Sequence, residues 1–128
     1  MLQVHTENIG DMAVIECVGR IAHTQSFALR DAVIAQNEAR TLVLDLTEVN
    51  ALERSGLSVL VSLQFWAQEH GIQFKVFNPS SSVRHMLEQI SSMQEFAIAS
   101  LPEVMGLMIQ AQDQVARLKA NTHFKVAA

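Results

Sequence analysis

Cysteine occurs once in the 128-residue chain, at position 17. No internal disulfide can form, and a reducing compartment, the cytoplasm, is the expected setting. Basic residues are also few: nine Lys and Arg stand against thirteen Asp and Glu, a formal net charge of −4 with no basic run. Such a chain has no electrostatic footprint for a phosphate backbone, which sets nucleic acid aside as a partner. Long hydrophobic runs are missing. The apolar stretches are a few residues each, against about 20 for a bilayer-spanning helix, and Met1-Leu2-Gln3-Val4-His5 has no basic region leading into an apolar one. Glycine forms neither Gly-x-Gly-x-x-Gly nor Gly-x-x-x-x-Gly-Lys-Ser/Thr, and no serine sits in Gly-x-Ser-x-Gly. The histidines at 5, 23, 70, 85 and 123 lack metal-ligand spacing. No catalytic residue, cofactor or metal site is therefore expected.

Core material, by contrast, is plentiful. Apolar residues make up 49% and charged residues 17%, a balance that folds, and the length suits one domain. We place that domain at residues 1–119, including a terminal helix, and expect a frayed tail at 120–128.

Residues 2–6 and 13–18 are rich in β-branched side chains and flank Asn8-Ile9-Gly10-Asp11, the pattern of a hairpin. Gly19-Arg20-Ile21 ends the second strand. Thr24 then offers a cap for a helix from about Ser26 to Asn37, with Phe27, Leu29, Val33 and Ile34 as its inward residues. The nearly continuous apolar run Thr41 to Leu46 predicts a central strand covered on both faces. Gly56 to His70 predicts a largely buried helix with Ser58, Ser62 and Glu69 on one polar strip, flanked by Phe65 and Trp66. Ile72 to Phe77 alternates as a strand before Asn78-Pro79, and Val83, Met86, Leu87 and Ile90 then mark an amphipathic helix behind serines 80 to 82. Phe96 to Ala99 predicts a short last strand. After it, Val104, Met108, Ala111, Val115 and Leu118 repeat as one helical stripe, which either packs back on the domain or pairs with a second chain as a homodimer; packing back is the expectation. The order β-β-α-β-α-β-α-β-α argues an α/β fold.

The chemistry concentrates between Leu42 and Leu60. A strand ends at Asp45-Leu46-Thr47, a loop crosses Glu48 to Arg54, and Ser55-Gly56-Leu57 opens a helix. The unpaired amides and positive dipole end of that helix suit a serine cap, a carboxylate or a phosphoserine.

Leu44-Asp45-Leu46-Thr47, Val49 and Leu52-Glu53-Arg54-Ser55-Gly56-Leu57, with Leu60 beyond, resembles the signature of the STAS domain, the family of bacterial anti-sigma factor antagonists. That signature is an aliphatic strand with Asp-Leu-Ser/Thr, followed by Asp-Ser-Ser-Gly-Leu. The similarity extends over residues 2 to 110, taking in Gly19-Arg20-Ile21 and Phe77-Asn78-Pro79. It implies a single domain with a mixed sheet of about four to five strands and helices mainly on one face. It also implies a non-enzymatic role in regulating transcription: binding a serine-kinase anti-sigma factor, with release when the first serine of the motif is phosphorylated. This chain departs at both critical positions, carrying Glu53 for the motif's aspartate and Arg54 for its phosphorylated serine. An arginine cannot accept a phosphoryl group, so the switch is lost or has moved to Ser55 or Ser58.

The partner surface implied by the resemblance comprises Gly19, Arg20, Asp45, Leu46, Thr47, Glu53, Arg54, Ser55, Gly56, Leu57, Ser58 and Ser62. The competing reading is a STAS subunit of a larger assembly, such as the small partner of a lipid-transport ATPase or a scaffold in stress signalling.

Overall fold

The computed structural model of the chain describes residues 1–89 and 96–127, with side chains through Lys119. Strands β1 (Leu2–Ile9) and β2 (Met12–Ile21) pair antiparallel in register Ile9↔Met12, which leaves Gly10 and Asp11 as the turn. Gly10 has φ +57°, a conformation that glycine supplies without a Cβ clash and that a two-residue hairpin turn needs. Strands β3 (Thr41–Leu52), β4 (Gln73–Phe77) and β5 (Ala97–Ala99) continue the sheet in parallel, giving the order β1-β2-β3-β4-β5. The fold is therefore α/β with a five-stranded mixed sheet, and the run from Thr41 lies at its centre as expected.

The central strand is longer than its hydrophobic pattern suggests. Instead of a loop over Glu48 to Arg54, β3 runs on to Leu52 and stays paired with β2, where Val18 faces Glu48 and Ile21 faces Leu52. The register slips twice, between Glu16 and Val18 and between Gly19 and Arg20, each time inserting one extra residue into β3. These bulges break the period of two: Leu42, Leu44 and Leu46 are buried at every second position, whereas the next buried residues are Val49 and Leu52.

Helices cover both faces. On one, α1 (Phe27–Ile34), α2 (Arg54–Glu69) and α3 (Ser81–Leu87) enclose the main core of Ile15, Cys17, Leu29, Val33, Leu44, Leu60, Val76 and Val83. On the other, α4 (Leu101–Ala127) lays Val104 and Ala111 over Met12, Val43 and Ala99. The terminal stripe thus packs back on the domain through Val104, Met108 and Ala111, while Leu118 at its far end is 59% exposed. Helix α1 is shorter than expected and is preceded by a tight helical turn at His23–Gln25. Leu29 and Val33, one turn apart, face the core, but Phe27 and Ile34 fall on the opposite side and are 66% and 50% exposed. Of the expected caps, Ser80 acts, its Oγ accepting from the Val83 amide, whereas Thr24 does not, since α1 begins behind Ser26 and has no side-chain cap; Ser100 Oγ, not singled out from the sequence, accepts from the Glu103 amide. Ile90 of the expected α3 stripe lies outside the described residues, as do the side chains of the expected tail at 120–128.

The start of α2 is locked to the end of β2. The Glu53 amide donates to the Ile21 carbonyl at 3.0 Å, and a Cβ added at Gly56 would stand 2.2 Å from that same oxygen. Only glycine lets the helix come this close. Gly56→Ala should cost about 2 kcal/mol or more in chemical denaturation, because the obstructing atom is backbone and the helix must shift away from the strand.

Cys17 lies buried on β2. Burial pushes its thiol up from 9.0 to about 12, and the Asp45 and Glu16 carboxylates add to the rise. The unfolded thiol ionises near its ordinary value and the folded one far above it. The resulting stability is intact below about pH 9 and is lost as the pH climbs towards 12. Native protein should therefore resist thiol reagents at neutral pH while unfolded protein reacts, and Cys17→Ala should flatten the alkaline fall in a stability-versus-pH series.

Candidate functional site

Three segments meet at the amino end of α2: the last residues of β2, the turn at His23–Gln25 and the β3–α2 junction. Glu53 is the residue before the helix, with extended backbone, and its side chain makes no cap. Ser55, expected to cap the helix, is instead its second residue, and its Oγ accepts from the His23 amide at 3.1 Å. The serine therefore fastens the preceding turn to the helix. Arg20 Nη1 lies 3.9 Å from Glu53 Oε1, and both side chains are about half exposed, so the pair contributes between zero and about 1 kcal/mol. Arg54 is exposed on the first turn and takes part in none of the ion pairs found among the described residues. Its charge stands at the positive end of the helix dipole, an unfavourable placement of about 0.3–1 kcal/mol.

Further along the outward strip, Ser58 Oγ donates to the Arg54 carbonyl and Ser62 Oγ to the Ser58 carbonyl. This back-bonding ties each hydroxyl to the turn before it. Phe65 lies on the same strip, half exposed, whereas Trp66 packs against the main core and stacks on His70 at 4.4 Å between ring centres.

A second hydrogen-bonded set sits lower on β3, at the first bulge. Asp45 Oδ1 accepts from both the amide and the hydroxyl of Thr47, at 3.0 and 2.5 Å. The extra residue leaves Thr47 without a partner in the β2 register, and the carboxylate takes its amide instead. Asn78 Nδ2 completes the set by donating to Thr47 Oγ1 at 3.2 Å. Asn78 has φ +53°, a left-handed conformation that asparagine tolerates better than most residues.

Of the expected surface residues, Arg20, Thr47, Glu53, Arg54, Ser55, Ser58 and Ser62 are exposed, and Gly19 and Asp45 are half-buried. Leu46, Gly56 and Leu57 are buried; they fix the backbone and present no side chain. His23 and Asn78 enter the hydrogen bonding of the site without having been singled out from the sequence. The Asn-Pro dipeptide at 78 and 79 was the available signal for one of them, while His23 acts through its backbone and leaves none. Among the described residues, no group of three or more His, Cys, Asp or Glu could hold a metal, and no helix is long and apolar enough to cross a membrane.

The sequence pattern of the STAS domain matches residues 3–101. A search of curated proteins finds no match. Among solved structures, an anti-sigma factor antagonist from Mycobacterium paratuberculosis superposes with a TM-score of 0.70 at 20% identity, covering 84% of this chain and 94% of that one. The anti-sigma factor antagonist SpoIIAA in its unphosphorylated form gives 0.64 at 15% identity, over 82% and 93%. The murine anion transporter Slc26a9 gives 0.62 at 19% identity, over 84% of this chain but only 18% of the transporter. At these identities the superpositions speak to the fold. With most of the chain matched by the family's own pattern, the protein belongs to the STAS domain family.

Proposed function

We propose that this chain is a non-enzymatic regulatory module of the anti-sigma factor antagonist kind, which acts in the cytoplasm by binding a protein partner and has no phosphorylation switch at the usual place. The partner is a serine-kinase anti-sigma factor or a related signalling protein, and control of transcription is the outcome. The contact surface is the exposed rim of the α2 start, Arg20, Glu53, Arg54, Ser55, Ser58 and Ser62, together with the Asp45–Thr47 bulge. The observation that carries this reading is Arg54, exposed and without an ion-pair partner among the described residues, where the family places its acceptor serine. A phosphoserine brings a charge of about −1.5 to −2 to a helix start; an arginine fixes +1 there. The surface thus stays in one electrostatic state. Ser55 and Ser58 are the remaining acceptor candidates, and each hydroxyl is already engaged with backbone.

A second reading is favoured by the likeness to the STAS part of a much larger transporter: the chain serves as one subunit of an assembly, such as a lipid-transport ATPase complex. Affinity purification from the native host separates the two by the identity of the protein recovered.

With that partner in hand, Arg54→Glu should change its affinity at least tenfold, about 1.4 kcal/mol, and raise the melting temperature by a few degrees rather than lower it, since a carboxylate suits the helix start where the arginine does not. Equal affinity of variant and parent would remove the α2 start from the contact. The paired change Glu53→Asp with Arg54→Ser should make the domain a substrate for a kinase that phosphorylates family members, with phosphate mapped to position 54.

A further inference from the structure

Strand β1 is the end of the sheet: β2 pairs with one of its edges, and among the described residues no strand pairs with the other. Which groups face that open edge follows from the hairpin. Two strands joined by a two-residue turn are hydrogen-bonded at the flanking pair, here Ile9 and Met12, and the bonding alternates from there. Ile9, Glu7, His5 and Gln3 therefore turn their amides and carbonyls to β2, while Val4, Thr6 and Asn8 turn theirs outward. Among the described residues, no other backbone hydrogen bond takes up these outward groups. Helices α1 and α4 touch the two faces of β1, and Gln36 Oε1 accepts from Asn8 Nδ2 at 2.7 Å, a bond that engages the Asn8 side chain and not its backbone. Proteins blunt open edges with proline, lysine or a bulge. Leu2–Ile9 has none of these: it contains no Pro, Lys or Arg, and its register with β2 runs without a shift.

We propose that the open edge of β1 pairs antiparallel with β1 of a second copy of this chain, joining the two sheets into one. A two-fold axis through Thr6 sets Thr6 opposite Thr6, Val4 opposite Asn8 and His5 opposite Glu7, and the outward amides and carbonyls at 4, 6 and 8 meet as hydrogen-bonded pairs. His5 and Glu7 are both exposed and share one face of the strand. They fall in the non-hydrogen-bonded pairs, where side chains come closest, so each imidazole meets a carboxylate of the mate. Moving the axis to His5 sets two imidazoles against each other, and moving it to Glu7 sets two carboxylates against each other, which is destabilising. In the Thr6 register the strand is complementary to itself, hydroxyl to hydroxyl and imidazole to carboxylate, and this singles out a second copy as the occupant. The eight residues of β1 span about 27 Å. A contact of that length and one strand wide falls short of the ~800 Å² per partner of a standard interface, so the dimer is weak and concentration-dependent. The pairing involves neither α2 nor the Asp45–Thr47 bulge.

Sedimentation velocity of the full chain from about 10 μM to about 1 mM should show a monomer–dimer equilibrium with a dissociation constant of roughly hundreds of micromolar. Amide exchange followed by NMR at both ends of that range locates the contact: the amides of Val4, Thr6 and Asn8 should slow as the protein is concentrated, while those of His5 and Glu7, already paired with β2, should not change. Thr6→Pro removes an outward amide and should weaken association at least tenfold with the circular dichroism spectrum of the parent, because proline is tolerated where the N–H faces away from the sheet. The register is tested by exchanging charges. Glu7 faces Val14 on β2, so Glu7→Lys meets no charge there, and it should weaken association about threefold or more by placing a lysine opposite His5 of the mate. Adding His5→Glu should restore it, since the new carboxylate stands opposite the new lysine, although His5 also faces Glu16 of β2. A parent that stays monomeric throughout, a dimer that leaves exchange at Val4, Thr6 and Asn8 unchanged, or single variants that associate as the parent does, overturns the proposal.

Discussion

One backbone oxygen, the carbonyl of Ile21, sets the geometry on which the proposed binding surface depends. It accepts the Glu53 amide and stands where a side chain at Gly56 would begin. The chain therefore leaves β3 and enters α2 in contact with the end of β2, with no slack for a longer loop. Everything presented at the helix start follows from this approach. Arg20 comes within reach of Glu53, Ser55 comes within reach of the His23 amide, and Arg54 is turned outward because the inward side is filled by strand backbone and by Leu57.

Much of this was legible in the amino-acid order. The run Leu42-Val43-Leu44 identified the central strand because both its faces are buried, and the Val83-Leu87 pair placed α3 on the sheet because residues four apart share a helix face. The junction at Ser55-Gly56-Leu57 was found, and so was the terminal stripe that packs back. What escaped the sequence has local physical reasons. Two bulges in β3 shift the buried positions from every second residue to every third, so the strand read as ending at Thr47 although it continues to Leu52. Phe27 and Ile34 are apolar and sit in a helix, which invites an inward assignment, but only Leu29 and Val33 fall on the side of an eight-residue helix that meets the sheet. Hydrophobicity marks what a residue prefers; it does not say which face of a short helix is covered. Ser55 looked like a cap, but the helix begins two residues earlier, behind Glu53, and its hydroxyl serves the neighbouring turn instead.

The arrangement separates two kinds of surface. Polar, hydrogen-bonded groups gather where β3 ends and α2 begins, while the opposite face of the sheet carries α4 with its exposed apolar shoulder. The central point of the proposed function is electrostatic: with Arg54 at the helix start, the proposed contact surface carries a fixed positive group where a serine would alternate between a neutral hydroxyl and a phosphate of about −1.5 to −2 charge. Arg54 takes part in none of the ion pairs found among the described residues, although Glu53 is its neighbour in sequence.

The most direct measurement is phosphorylation-site mapping by mass spectrometry of the protein purified from its native host. The account predicts an intact mass without added phosphate and unmodified peptides across residues 53–62. Stoichiometric phosphate on Ser55 or Ser58 would show that the switch has moved by one or a few positions along α2, and would contradict a surface held permanently in one state.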